Sequence, residues 1–178
     1  RGIPFTGKSF RAQQLLEEAA KNDIQGQIFS TDEYWYKVNL PDKPEEYSFD
    51  QRFLGQAHQW NVLRVQRRID MGDPLLIIDN SNVTAREFCC NYAKYAHWQN
   101  YKICIEEPIS PWWLEIRELL KDKNANKVAI NQWATKLAEG SKKIHNVPDF
   151  VIERMMLRWE CNLCPEAVVR TCVEYHHE

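Results

Sequence analysis

The chain has 178 residues, 44% of them apolar and 27% charged, and a formal net charge of −2. That length suits one domain with a single sizeable core. No apolar run approaches the ~20 residues of a membrane-spanning helix, so no membrane partner is expected. The small net charge argues against a partner held by bulk positive charge and leaves only a local basic groove for a polyanion.

The first element is a loop. Gly2-Ile3-Pro4-Phe5-Thr6-Gly7-Lys8-Ser9 fits the phosphate-binding pattern G-x-x-x-x-G-K-[ST]. Glycines let backbone N–H groups turn inward around phosphate oxygens, a lysine reaches the β- and γ-phosphates, and a serine hydroxyl holds Mg²⁺. Gly2, Pro4, Phe5, Thr6, Gly7, Lys8, Ser9 and Phe10 are therefore the candidate nucleotide cradle. A helix should follow at once, with its N-terminal partial charge facing the same anion. Arg11–Ala20 holds no Gly or Pro, which predicts a helix from about Lys8 to Lys21. Such a loop normally follows a buried strand, yet only Arg1 precedes Gly2, so the expectation is a longer protein whose first strand lies before Arg1.

Gln27–Ser30 reads as a short strand ending at Thr31-Asp32-Glu33-Tyr34, followed by a loop over residues 35–48. A long helix is predicted from Phe49 to Met71, with Phe53, Ala57, Trp60 and Leu63 as its buried stripe, and Gly72-Asp73-Pro74 stops it. Leu75–Ile78 followed by Asp79 suits a central parallel strand buried on both faces. Thr84-Ala85-Arg86-Glu87 is a capping box opening a helix to about Trp98. Lys102–Glu106 reads as the next strand, followed by helices near Trp112–Lys121 and Val128–Glu139. A loop spans Gly140–His145, and Pro148 opens a last helix to about Glu160. This alternation predicts an α/β fold with a mostly parallel sheet and helices on both faces. Residues 1–160 form the expected domain and residues 161–178 a C-terminal extension of it.

In open parallel sheets the ligand lies beyond the carboxyl ends of the strands, where the loop, Asp32 and Asp79 all fall. Asp32 has two readings: a base that accepts the proton of an attacking hydroxyl, or an N-cap for the turn at Glu33-Tyr34. Asp79 faces Mg²⁺ or its water, or orients the Asn80-Ser81-Asn82 turn. Lys142 and Lys143 sit in a loop that is either a lid bringing cations over the phosphates or an ordinary solvated surface. Arg64, Arg67 and Arg68 either line a groove for a phosphate backbone or form a solvated helix face.

Six cysteines are present. Cys89, Cys90 and Cys104 lie in or beside apolar segments and read as reduced core thiols. Cys161-x₂-Cys164-x₇-Cys172-x₃-His176 has zinc-like spacing, against the alternative of reduced cysteines on a docking helix. A loop that handles ATP, beside reduced thiols, points to the cytosol or nucleus.

Taken in order, these stretches resemble the polynucleotide-kinase-like P-loop family, in the eukaryotic branch found in Nedd-binding proteins. The resemblance is carried by Arg1–Ser9, Ile28–Tyr34, Tyr47–Asp50, Leu54–Asn61, Pro74–Asn82, Glu106-Glu107-Pro108 with Trp112-Trp113, and His145-Asn146-Val147. It implies a three-layer P-loop kinase fold and an ATP- and Mg²⁺-dependent kinase. Such an enzyme transfers the γ-phosphate to a 5′-hydroxyl of DNA or RNA. Lys8 and Ser9 match the family's phosphate and Mg²⁺ residues, and Asp32 its general base. Phe5-Thr6 stand where relatives carry Gly-Ser, and Lys142-Lys143 where an arginine-rich lid is found. These departures frame the alternative function, a degenerate P-loop domain that binds nucleotide, RNA or a protein partner.

Overall fold

Two βα-type passages order the N-terminal half. In the computed structural model, which describes residues 1–37, 47–142 and 144–174, helix α1 (Lys8–Ala20) leads to strand β1 (Gly26–Phe29). A short helix α2 (Glu33–Lys37) follows, inside the segment predicted as loop, and then helix α3 (Leu54–Asp70) and strand β2 (Leu75–Ile78). The strands pair in parallel, Gly26 opposite Leu75 and Phe29 opposite Ile78. The Asp79 N–H donates to Phe29 O at 2.9 Å and extends the ladder one residue past β2. Among the described residues the fold is thus a small open parallel sheet of two strands, with α1 and α3 packed on both of them.

The buried stripe of α3 differs from the predicted one. Ala57, Asn61, Val62, Val65 and Ile69 are buried, while Leu63 is 44% exposed. The helix serves two clusters in succession. Phe53, Ala57 and Trp60 pack with Tyr34 and Trp35, and Val62, Val65 and Ile69 pack with Phe29 and Tyr92. A stripe followed straight on from Trp60 runs into solvent at Leu63, because the second cluster lies around a different side of the helix.

The predicted helix after Thr84 is interrupted. Helix α4 (Ala85–Phe88) passes through a π turn at Cys89–Ala93 into helix α5 (Lys94–Trp98). Thr84 Oγ1 accepts from Glu87 N at 3.4 Å, and Glu87 Oε2 accepts from Val83 N at 2.7 Å, so the capping box closes one residue upstream of its usual place.

Lys102–Glu106 has no regular secondary structure and forms no ladder with β1 or β2, in contrast to the predicted strand. Arg1 and Gly2 lie between it and the residues after β2. The Arg1 amino group donates to Glu106 O at 2.6 Å, and Gly2 N donates to Ser81 O at 3.0 Å. Without neighbours on the ladder, Cys104 is exposed rather than a core thiol.

Four more helices follow, and the first three of them build the larger core. They are α6 (Pro111–Leu119), α7 (Lys127–Ser141), α8 (Asp149–Arg158) and α9 (Pro165–Glu174). Ser110 caps α6 by accepting from Trp113 N, with Pro111 in the first turn. Trp113, Ile116, Leu120, Ile130, Leu137, Ile152, Met156 and Trp159 form one buried cluster, and Trp113 and Trp159 meet edge-to-face at 4.9 Å. On α9, Val168 is fully buried beside Ala93, with Ile103 and Ile105 around it. Helix α7 runs through Gly140 to Ser141, so the predicted Gly140–His145 loop is reduced to the turn that follows; Lys143 lies outside the described residues. No described helix is long and apolar enough to cross a membrane.

The two-cluster arrangement of α3 predicts a contrast. Ile69→Ala should cost about 2–5 kcal/mol of unfolding free energy, the usual range for a buried Ile. Leu63→Ala should stay within about 0.5 kcal/mol, as exposed positions do. Urea denaturation of both variants measures the difference.

Candidate functional site

The loop between Arg1 and α1 is anchored from below. Ile3 is completely buried in the helical core, and its carbonyl accepts from Thr6 N at 3.3 Å, Thr6 Oγ1 at 2.7 Å and Lys8 Nζ at 3.3 Å. This folds the chain into a tight ring, and Gly2 is what lets it close. A Cβ on Gly2 would lie 2.9 Å from Lys8 Cγ, Pro108 Cγ and Thr6 Oγ1. Gly7 takes φ +94° at the N-cap of α1 and offers no side chain to its first N–H groups. That leaves the positive end of a 13-residue helix facing the loop.

Phe5 departs from ordinary backbone geometry at φ +63°, a conformation costing of order 1 kcal/mol or more for a bulky residue. Three contacts hold it. Trp112 Nε1 donates to Phe5 O at 3.2 Å, Ser110 Oγ donates to Thr6 O at 2.9 Å, and the ring lies over Gly140 of α7. A Cβ at Gly140 would fall inside the envelope of that ring. Gly140 therefore sits within a helix for a packing reason, and Phe5 points toward α7.

Lys8 stands at the centre. Burial lowers its pKa below the ordinary lysine value, and Asp79 and then Asp32 pull it back up. The strand register delivers those carboxylates, since Asp79 follows β2 and Asp32 follows β1 by three residues. Asp79 Oδ1 is buried and has no hydrogen-bond partner among the described residues, so it is an available acceptor. Beside it a small open cleft of about 40 Å³ is lined by Lys8, Asp79, Arg1, Arg11, Glu106 and Glu107. Ser9 and Phe10 are exposed at the first turn of α1, and Pro4 is half-buried.

The two readings of Asp32 separate on local geometry. Ser30 Oγ accepts from Asp32 N at 3.2 Å, and Glu33 Oε1 accepts from Ser30 N at 3.2 Å. Ser30 and Glu33 thus make a capping box at the start of α2, which leaves the Asp32 carboxylate free of that duty. It is about half exposed, at 51%, with Oδ2 3.7 Å from His145 Nε2. Behind it, Thr31 N donates to Asn80 Oδ1, and Asn80 and Asn61 both donate to the Tyr92 hydroxyl, each at 3.0 Å. That network ties the end of β1 to the end of β2. Burial pushes the Tyr92 phenol up, which keeps it a neutral member of the network.

Other predicted residues lie elsewhere or answer to other partners. Lys142 is exposed at the C-cap of α7. Arg64 pairs with Glu33 at 3.1 Å and stacks over Trp60, and Arg68 pairs with Asp73 at 2.6 Å. Cys161 Sγ contacts Leu120 O at 3.3 Å and Cys164 is exposed. The Cys172 side chain and His176 lie outside what is described. Among the described residues no three His, Cys, Asp or Glu side chains gather as a metal site. Sequence reasoning did not single out Gly140, Tyr47 or His145 as site residues. The usable signals were a glycine in a helical pattern opposite a bulky Phe5, and a histidine inside a stretch already matched to relatives.

The fold and the loop define a mixed α/β domain in which Lys8, at the N-terminus of α1, feels the charge of two carboxylates that follow the strands. The chain is similar to human NEDD4-binding protein 2, with 33% identity over 148 residues, which is 83% of this chain and 8% of that protein. The match supports the Nedd-binding branch of the resemblance read from the sequence. The chain spans less than a tenth of that relative's length. No family model matches the chain, and no solved structure matches it.

The Phe5–Gly140 contact predicts non-additive stabilities. Ala is better than Gly inside a helix by about 1 kcal/mol, but overpacking costs about 1–3 kcal/mol. Gly140→Ala should therefore be neutral to destabilising with Phe5 present and stabilising by about 1 kcal/mol with Phe5→Ala. Denaturation of the four proteins in a double-mutant cycle measures the coupling.

Proposed function

We propose that this domain is an ATP- and Mg²⁺-dependent polynucleotide 5′-kinase. The observation that carries the reading is the Lys8 ammonium, held under a glycine-closed loop with Asp79 and Asp32 as its charge partners. A buried lysine whose pKa is depressed gains most when phosphate oxygens arrive, because they replace the solvation it has lost. The loop N–H groups and the start of α1 supply the remaining attraction for the β- and γ-phosphates.

Asp79 Oδ1 and the Ser9 hydroxyl fit Mg²⁺, which takes one or two protein oxygens and completes its shell with phosphates and water. When bound, the ion offsets charge on the phosphates. Asp32 accepts the proton of the attacking 5′-hydroxyl. Its oxygen forms the new bond to the γ-phosphorus as the bond to the β–γ bridging oxygen breaks, releasing ADP. Lys142 serves as a point cation from the α7 side; an ammonium lacks the bidentate fork of an arginine, so turnover should be modest.

A second reading, a nucleotide-binding module that docks RNA or a protein such as NEDD4, draws on Phe5 in the loop and on the name of the relative. One experiment separates the two. The domain is given radiolabelled Mg²⁺-ATP with 5′-hydroxyl DNA or RNA oligonucleotides. Label should appear on 5′-ends, vanish in Lys8→Ala, and fall by about 10²-fold or more in Asp32→Asn. Absence of label, with a thermal shift on adding Mg²⁺-ATP that Lys8→Ala abolishes, would establish the binding module instead; ligand at ~100 times its Kd adds ~2.7 kcal/mol.

A further inference from the structure

We infer that His145 is a positioning residue for Asp32, and that it ties the base to the turn that carries Lys142. The inference deepens the kinase reading and rests on it. His145 belongs to the turn that closes α7. Ser141 O accepts the N–H groups of Ile144, His145 and Asn146, each at 2.9 Å, and Asn146 takes φ +47° to complete the reversal. Ser141 Oγ accepts from Val147 N at 3.1 Å and fixes the exit. Ser141 is itself buried, so the turn is seated on the core and projects His145 across to the end of β1.

Among the described residues, two groups face the imidazole. Asp32 Oδ2 lies 3.7 Å from Nε2, and the Tyr47 ring lies edge-on at 4.9 Å between centroids. Nδ1 is buried and has no hydrogen-bond partner among the described residues. A buried N–H without an acceptor is costlier than a buried lone pair, so the arrangement selects the tautomer with its proton on Nε2. That proton points at Asp32. A contraction of about half an ångström or more makes the hydrogen bond, and Oδ2 is then engaged. Oδ1 remains to receive the proton of the incoming hydroxyl. Ser30 and Glu33 cap α2 in place of Asp32, so nothing described within its own turn orients this carboxylate. His145 supplies the orientation from outside, and the Tyr47 ring limits where the imidazole can swing.

Lys142 lies three residues before His145 at the end of the same helix. A movement that lifts the Lys142 turn carries His145 away from Asp32, so the base can be aligned only when the turn is seated. Positioning of a base is worth orders of magnitude in rate because misplacement by an ångström costs about 10²-fold.

The test is γ-phosphate transfer by the full-length protein. His145→Ala should lower kcat 10- to 100-fold while KM for ATP stays within threefold. His145→Gln, whose amide can donate from nearly the same place, should recover at least a third of the lost logarithmic activity. In the Asp32→Asn background, His145→Ala should add less than a twofold loss. ¹⁵N shifts of the imidazole should report the Nε2–H tautomer in the wild type and move in Asp32→Asn, a readout that packing alone would not change. Transfer that survives His145→Ala within twofold, or equal losses with and without Asp32, overturns the proposal and leaves the kinase reading standing. A wild-type protein that binds ATP and transfers nothing overturns both. If His145→Ala fails to fold, His145→Gln and the ¹⁵N shifts decide.

Discussion

The cost of partly burying the Lys8 ammonium bears on the architecture around it. A cation removed from water is tolerated only where opposite charge and acceptors replace the lost solvent. Here Ile3 O accepts from Nζ, and Asp79 and Asp32 oppose the effect of burial on its pKa. Both carboxylates depend on the parallel register of β1 and β2, with Phe29 opposite Ile78. A slip of one residue would exchange the faces of every side chain beyond it and move one carboxylate away. The Thr31–Asn80–Tyr92–Asn61 network pins that register where the ladder ends. It is built of neutral groups, so it fixes position without competing for the lysine's charge.

The loop is equally dependent on the helical core. Ile3 is buried among Val83, Trp113 and Ile152, and the Arg1 guanidinium lies 3.5 Å from the centroid of the Trp159 ring. Burial pulls the Arg1 side chain down to about 10, and Glu107 and Glu160 oppose that shift, so it keeps its charge at neutral pH. The loop's shape is thus set by packing that involves α6, α7 and α8, well away from the strands. A domain of this design couples the shape of the loop to core stability. The same Ile3 residue that buries apolar surface also places the carbonyl that collects Lys8 and Thr6.

Much of this was legible in the sequence because it is local. The loop motif, α1 and both strands are written in runs of 13 residues or fewer, and their ends fall within two residues of the prediction. Asp32 and Asp79 were legible because strand ends converge in parallel sheets. What was not legible depends on neighbours distant in the chain. Lys102–Glu106 has strand composition, but Arg1 and Gly2 lie between it and the residues after β2. Leu63 continues an apolar spacing that turns away from both clusters α3 serves. Gly140 looked like the start of a loop because its actual role, making room for Phe5, joins residues 135 positions apart. The capping role foreseen for Asp32 went to Ser30 and Glu33, a distinction that needs atomic positions.

The C-terminal end of α7 emerges as the element that meets both halves of the site. Gly140 receives the Phe5 ring of the phosphate loop, and five residues on His145 faces Asp32. Below these contacts the helix is fixed in the core by Ile130, Ala134 and Leu137. The two contacts differ in kind. Gly140 is inside regular helix, where close packing permits little adjustment. His145 hangs from a turn whose three N–H groups share one carbonyl, one acceptor where regular helix supplies three. The Gly2–Ser9 loop therefore meets α7 through regular helix, and Asp32 meets it through the turn that follows. The Phe5 ring packs that loop against the helix, which ties the start of the chain to residues 135 positions away.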